Sequence, residues 1–251
     1  MLMQKDFERF DRQIRLIGVE GQEKLKNAKV LIVGVGGLGT SVATYLAYAG
    51  VGKLILIDDG LVELSNLNRQ ILYTESDVGK PKVLVACERI RSINSDIELE
   101  CYNRKFDYEF GEKLVKEADV VIDALDNWST RLILNELCVK YRKPLIHAGV
   151  EGWYGQITTI IPGKTPCLFC LRPLNVRGIA KEDRVIPVMG VTPGLLGVLE
   201  ASEAIKLILN TGKVLENKLL IVDLLNMEFT LIEIRRNPRC PVCGLLSPEK
   251  V

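Results

Sequence analysis

The stretch Val30-Leu31-Ile32-Val33-Gly34-Val35-Gly36-Gly37-Leu38-Gly39 runs an apolar strand straight into glycines spaced G-x-G-x-x-G, and the residues beyond it read as a helix. Such glycines let the backbone turn sharply and come close to a ligand, while free N–H groups and the dipole of the following helix favour an anion. A second apolar strand, Lys53–Ile57, ends at Asp58, about 20 residues beyond the last glycine, where a ribose-binding acid belongs. Taken alone, these features fit NAD or FAD.

Outward from that turn, apolar runs alternate with helical patterns. Ile97–Tyr102, Val120–Ala124 and Pro144–Ala148 are expected as further strands, and the unalternated Val120-Val121-Ile122 suits a strand covered on both faces. The class is therefore α/β: a mostly parallel sheet with helices on both faces. From Val150 the pattern changes. Trp153–Pro162, Lys218–Asp223 and Glu228–Arg235 read as antiparallel extensions, and Thr192-Pro193 reads as an N-cap with proline in the first turn of a helix reaching Asn210. No Gly/Ser/Pro-rich linker divides the 251 residues. One domain is expected, with a nucleotide-binding half at 1–150 and a more irregular half at 151–251.

With 33 basic and 32 acidic residues, the chain has no global charge bias towards nucleic acid or an anionic membrane. Any anion has to be bound locally. The N-terminus is charged and lacks an apolar signal core, and no stretch reads as a membrane span, so a cytoplasmic protein is expected.

Cys167-x-x-Cys170 and Cys240-x-x-Cys243 lie in turn-rich, proline-flanked sequence. Paired knuckles of this spacing suit tetrahedral thiolate coordination of Zn2+; four thiolates leave no open position, so the site would be structural. Local redox pairs or unpaired buried thiols are the alternatives. The remaining cysteines, Cys87, Cys101 and Cys138, sit in apolar helix or strand patterns and read as inert buried thiols.

Three charged groups fall at the carboxyl edge of the expected sheet, the side on which open α/β sheets bind ligands. Ser65-Asn66-Leu67-Asn68-Arg69-Gln70 follows Asp58 and carries Arg69, an anion contact or a solvated loop charge. In Val78-Gly79-Lys80-Pro81-Lys82 a cation stands in a first helical turn, where the macrodipole is already positive, so an anion is expected beside Lys82 or its competitor Lys80. Asp126, after the buried strand, is placed either to hold Mg2+ or to cap the helix starting near Trp128, a task Asn127 could equally perform. Asp123 should face elsewhere by strand alternation, and His147, the sole histidine, reads as a hydrogen-bonded structural residue. Near the N-terminus, Phe7, Phe10, Ile14 and Ile17 share one helical stripe and Arg12 lies opposite it, facing out.

Together, Asp11-Arg12-Gln13, the glycine turn, Asp58, the Asn66–Gln70 string, Val78-Gly79-x-x-Lys82, Asp126-Asn127 and the paired C-x-x-C motifs resemble the MoeB/ThiF/HesA family, prokaryotic kin of ubiquitin-activating enzymes. The resemblance runs from about Phe7 to Gly244 and displaces the dehydrogenase reading. It implies a Rossmann-like fold extended by antiparallel strands and a zinc knuckle region. The implied activity is ATP-dependent adenylation of the C-terminal Gly-Gly carboxylate of a small ubiquitin-like sulfur-carrier protein, releasing pyrophosphate. By position, Gly34, Gly36, Gly37 and Gly39 would hold phosphates, Asp58 the ribose, Asn66, Arg69 and Lys82 the triphosphate, and Asp126 the Mg2+. The family also implies a homodimer in which Arg12 reaches the neighbouring subunit's site. Many relatives carry a cysteine before the helix matching Thr192–Asn210, whereas this chain reads Arg184-Val185-Ile186-Pro187-Val188-Met189-Gly190, which points to an outside sulfur donor. A non-catalytic nucleotide-binding member and a tRNA-adenylating relative are the alternatives; the balanced charge supplies no basic docking face for the latter.

Overall fold

The computed structural model describes residues 2–171 and 186–246. Two short helices open the chain, α1 (Gln4–Arg9) and α2 (Asp11–Asn27), and they correct the single N-terminal stripe expected from the sequence. Phe10 stands between them and is buried, but Phe7 on the first is 44% exposed, and Gly18 at φ 74° kinks the second. The boundary at Phe10 falls inside the expected stripe, whereas the Gly18 kink lies beyond its last residue, Ile17.

Then follow β1 (Lys29–Val33), α3 (Gly37–Ala49), β2 (Lys53–Ile57), α4 (Lys82–Ile93), β3 (Glu98–Tyr102) and α5 (Tyr108–Glu117). Next come β4 (Val120–Asp123), α6 (Trp128–Lys140), β5 (Leu145–Glu151), β6 (Tyr154–Ile160) and a one-turn α7 (Leu168–Leu171). The last elements are α8 (Val191–Leu209), β7 (Lys218–Asp223) and β8 (Glu228–Glu233). All eight strands join one sheet in the order β3-β2-β1-β4-β5-β6-β7-β8. The strands from β3 through β5 pair in parallel, and β6, β7 and β8 add on antiparallel. Alternate side chains feed two cores, as a sheet covered on both faces requires. Val30, Ile32, Leu54 and Ile122 pack with α3, α4 and α8, while Leu31, Val33, Ile55 and Val121 pack with α5 and α6.

β1 has β2 on one side and β4 on the other, so the chain reverses its direction of travel through the sheet there and a crevice opens beyond the carboxyl ends. Two glycines make that turn possible. Gly34 has φ 93°, and a Cβ on it would lie 2.6 Å from the Ala124 carbonyl oxygen. A Cβ on Gly39 would lie 2.0 Å from the Gly34 carbonyl oxygen, so α3 sits directly against the turn.

Two further expectations change. α8 is N-capped by Gly190, not Thr192, whose buried hydroxyl donates instead to the Gly152 carbonyl at 3.0 Å. Cys87 and Cys101 are joined as a disulfide between α4 and the adjacent β3, so they are not two separate thiols. No sequence motif marks that pair; helix-on-strand packing brings them together. Cys138 is fully buried as expected, and burial first, then the Asp123 charge, pushes its thiol pKa up.

α8 also carries Glu200, fully buried, with neither carboxylate oxygen hydrogen-bonded among the described residues. Burial, reinforced by the nearby Asp123 charge and partly opposed by Arg131, raises its pKa well above the ordinary 4.5. For a raised acid, the stabilising contribution is complete below the unfolded pKa and is lost as pH rises towards the folded one. Urea denaturation from pH 5 to pH 8 should therefore show stability declining in the wild type, a decline that Glu200→Gln flattens. A parallel decline in both would place the titrating group elsewhere.

Candidate functional site

The crevice is a cleft of about 570 Å³. Among its lining residues are Gly34, Gly36, Gly37, Asp58, Asn66, Arg69, Lys82 and Asp126, contributed by segments far apart in the chain. Gly39 is not among them. Its role is the close packing of α3 just described.

A Cβ at Gly36 would meet nothing nearer than the Gln70 Nε2 at 3.8 Å, so the turn leaves open space for a ligand above the N-terminus of α3. Asp58, at the end of β2, is fixed by two backbone donors: Val35 N–H to Oδ2 and Gly60 N–H to Oδ1, both at 2.7 Å. Each oxygen keeps a lone pair, which suits paired ribose hydroxyls. Asn66 is buried and its Oδ1 caps its own turn, accepting from Glu63 N–H at 3.1 Å. Arg69 is braced by the Ser65 carbonyl at 2.8 Å and Asn68 Oδ1 at 3.0 Å, with its stem against Gly37 and Gly190.

The sequence-level alternatives at two positions separate here. Lys80 pairs with the buried Asp77 at 3.1 Å, whereas Lys82, the first residue of α4, lines the cleft. Asn127, not Asp126, caps α6, accepting from Thr130 N–H at 2.9 Å. Among the described residues the exposed Asp126 carboxylate then meets only a 3.4 Å contact from Asn127, which leaves it lone pairs that suit a hard cation. Arg12 is exposed on α2 and lies outside the cleft lining.

The cleft also holds residues that the sequence did not single out. Arg104 and Lys105, after β3, line it, Arg104 being held by Asp107 at 2.7 Å and stacked 4.1 Å from the Phe110 ring centroid. Their position at the carboxyl edge of a parallel strand was the available signal. Arg131, on α6, gave none. Its Nε donates to the fully buried Asp123 at 3.3 Å, and Asp123 accepts from His147 Nδ1 at 2.6 Å. Burial raises the Asp123 pKa, but Arg131 and His147 more than offset it and hold the carboxyl below its ordinary value. At His147, by contrast, burial outweighs the Asp123 carboxylate and lowers the imidazole pKa.

At the far side of α6, Cys167, Cys170, Cys240 and Cys243 place their sulfurs within 4.8 Å of one another. The Cys167–Cys240 and Cys170–Cys243 Sγ separations are 3.7 and 3.4 Å. Four sulfurs about 2.3 Å from one tetrahedral ion stand about 3.8 Å apart, so the cluster fits zinc. Its surroundings are organised too. Asn135 of α6 accepts the Leu168 N–H at 2.9 Å, Asn237 N–H points to Cys170 Sγ at 3.5 Å, and Arg236 ties the Gly163, Cys243 and Leu246 carbonyls together.

A five-stranded parallel core with a glycine turn, a basic carboxyl edge and an acid after β4 defines a Rossmann-type nucleotide-binding protein with an appended cysteine cluster. The comparisons with known proteins narrow that class. The ThiF family model matches residues 10–242. The chain belongs to the ThiF family. It is 42% identical to the heterocyst protein HesA of Trichormus variabilis, over 97% of this chain and 91% of that one. Identity is 41% to the sulfur carrier protein ThiS adenylyltransferase of Escherichia coli, over 98% and 99% of the two chains. A crystal structure of E. coli MccB with ATP superposes with a TM-score of 0.82 at 29% identity, covering 97% of this chain and 82% of that one. Among the described residues no helix is long and apolar enough to cross a membrane.

Elemental analysis should find about one zinc per chain, and Cys240→Ser should lower thermal stability because metal binding is coupled to folding. An equally stable, metal-free wild type would remove zinc from the account.

Proposed function

We propose that this protein is an adenylyltransferase that uses ATP to activate the C-terminal carboxylate of a small ubiquitin-like sulfur-carrier protein ending in Gly-Gly. The observation that carries this reading is the convergence of the glycine turn, Asp58, Arg69, Lys82 and Asp126 on one cleft in a ThiF-family chain. A carrier carboxylate oxygen bonds to the α-phosphorus as the α–β bridging bond breaks and pyrophosphate leaves. Asp58 accepts from the ribose, the N-terminus of α3 faces the phosphates, and Arg69 and Lys82 neutralise the charge that grows on the leaving pyrophosphate. Asp126 holds Mg2+, which supplies further charge neutralisation on the phosphates. Catalysis is positioning and electrostatics, with no protein nucleophile.

Arg12, exposed and away from its own cleft, completes the site of the other subunit in a homodimer. Of the segment where relatives carry a cysteine, Arg184 and Val185 lie outside the described residues, while Ile186–Gly190 contains no thiol. The sulfur of a separate donor attacks the carrier's acyl carbon, and AMP leaves as the acyl–phosphate bond breaks. We place the protein in the cytoplasm, with residues 1–150 as the nucleotide half and 151–251 as the carrier-binding and zinc-bearing half of one domain.

ATP–pyrophosphate exchange stimulated by a Gly-Gly carrier tests the reading. Lys82→Ala or Arg69→Ala should reduce it roughly 100-fold or more. Exchange that no carrier stimulates would favour the non-catalytic member, and stimulation by tRNA the RNA-modifying relative. Mixing Arg12→Ala with Asp126→Ala chains should restore activity, since one of the two sites in a mixed dimer inherits both intact groups. Mixed dimers as inactive as either parent would return Arg12 to its own subunit or to no site.

A further inference from the structure

Asp126 sits in the short link between β4 and α6, a segment that nothing in its own sequence makes rigid. It is exposed, and its own carboxylate is not braced. The residue before it, Leu125, is held at both ends. Its N–H donates to Asp123 Oδ1 at 3.2 Å, and its carbonyl accepts from Arg131 Nη2. Arg131 Nε in turn donates to the same Asp123 oxygen, closing a ring through Asp123, Leu125 and Arg131. The same Nη2 also donates to the Ala148 carbonyl of β5 at 3.0 Å, which anchors the ring to the sheet. The Trp128 ring, 5.5 Å from the guanidinium carbon, packs beside it.

The Leu125 carbonyl and the Asp126 nitrogen share one rigid peptide plane. Fixing that oxygen therefore fixes the direction in which the chain enters Asp126. Arg131 is only 7% exposed, so this charge has been taken out of water and would cost stability unless its acceptors were in place. A guanidinium presents donors on separate nitrogens of one rigid plane, here Nε and Nη2, whereas an ammonium's three donors all radiate from a single nitrogen.

We propose that Arg131 is a positioning residue for the metal step: through the Leu125 peptide it holds the Asp126 carboxylate where it can take Mg2+ beside the bound triphosphate. This rests on the reading of Asp126 as the metal-holding acid. Removing an outer partner of a metal ligand typically costs 10- to 100-fold in metal affinity, and that is the size of effect the ring should carry.

The test is ATP binding by the full-length protein, measured calorimetrically without metal and across a Mg2+ titration, for wild type, Asp126→Asn, Arg131→Gln and Arg131→Lys. In the wild type Mg2+ should strengthen ATP binding, and Asp126→Asn should abolish the gain. Both Arg131 variants should raise the Mg2+ midpoint roughly 10- to 100-fold, a loss well beyond any they cause in metal-free ATP affinity. Lysine should fail as glutamine does, because one nitrogen cannot stand at both the Nε and the Nη2 positions that the ring uses. It also keeps a cation beside Asp123, so it carries the test if Arg131→Gln does not fold. Folded Arg131 variants with a wild-type Mg2+ midpoint would overturn the proposal, as would variants that weaken metal-free ATP binding equally, which would mark Arg131 as merely structural. A wild type with no Mg2+ response would instead overturn the metal role of Asp126, and the positioning role with it.

Discussion

Backbone meets backbone where α3 follows β1, and the cleft at the carboxyl edge of the sheet depends on that contact. At Gly39 the helix lies so close to the Gly34 carbonyl that no side chain fits between them, and at Gly34 the turn presses equally close to the Ala124 carbonyl at the end of β4. Three elements are thereby locked together at the point where the sheet reverses its order. The helix dipole and its unpaired N–H groups end up aimed into the crevice, not along the protein surface. Each later feature of the site is placed relative to that point.

Charge around the crevice is distributed unevenly by burial. Lys82 and Asp126 line it, one half-buried and one exposed. Asp123, Arg131 and His147 are buried beneath them and have satisfied one another. Groups that have left water must be paired to persist, so the buried set is rigid while the exposed set can bind. Glu200, buried on α8 with no hydrogen-bond partner among the described residues, has its pKa pushed up by burial instead.

The cysteine cluster is not isolated from this arrangement. α6 carries Asn127, its own cap, at one end next to Asp126, and Asn135, which holds the Leu168 N–H of the first knuckle, two turns on. One helix thus joins the Asp126 loop to the knuckle. The segment bearing the second knuckle reaches back through Asn237 and Arg236, so four sulfurs drawn from opposite ends of the second half come within tetrahedral reach.

Much of this was decided by the sequence alone. The apolar run before Gly34, the glycine spacing and the placing of Asp58 and Asp126 just beyond β2 and β4 depend on local backbone rules, and these act within a few residues. The C-x-x-C pairs are equally local, because coordination chemistry dictates their spacing. Tertiary structure alone decided whatever needs two distant segments to meet. It separated Lys82 from Lys80 by giving Lys80 a buried partner, and Asp126 from Asn127 by giving Asn127 the helix cap. It joined Cys87 to Cys101, broke the N-terminal stripe so that Phe7 faces solvent, and moved the α8 cap to Gly190. It also set Arg131 under the Asp126 loop. None of those pairings has a fixed sequence spacing, since each is made by helices and strands packing across the sheet, and packing is settled only when the whole core closes.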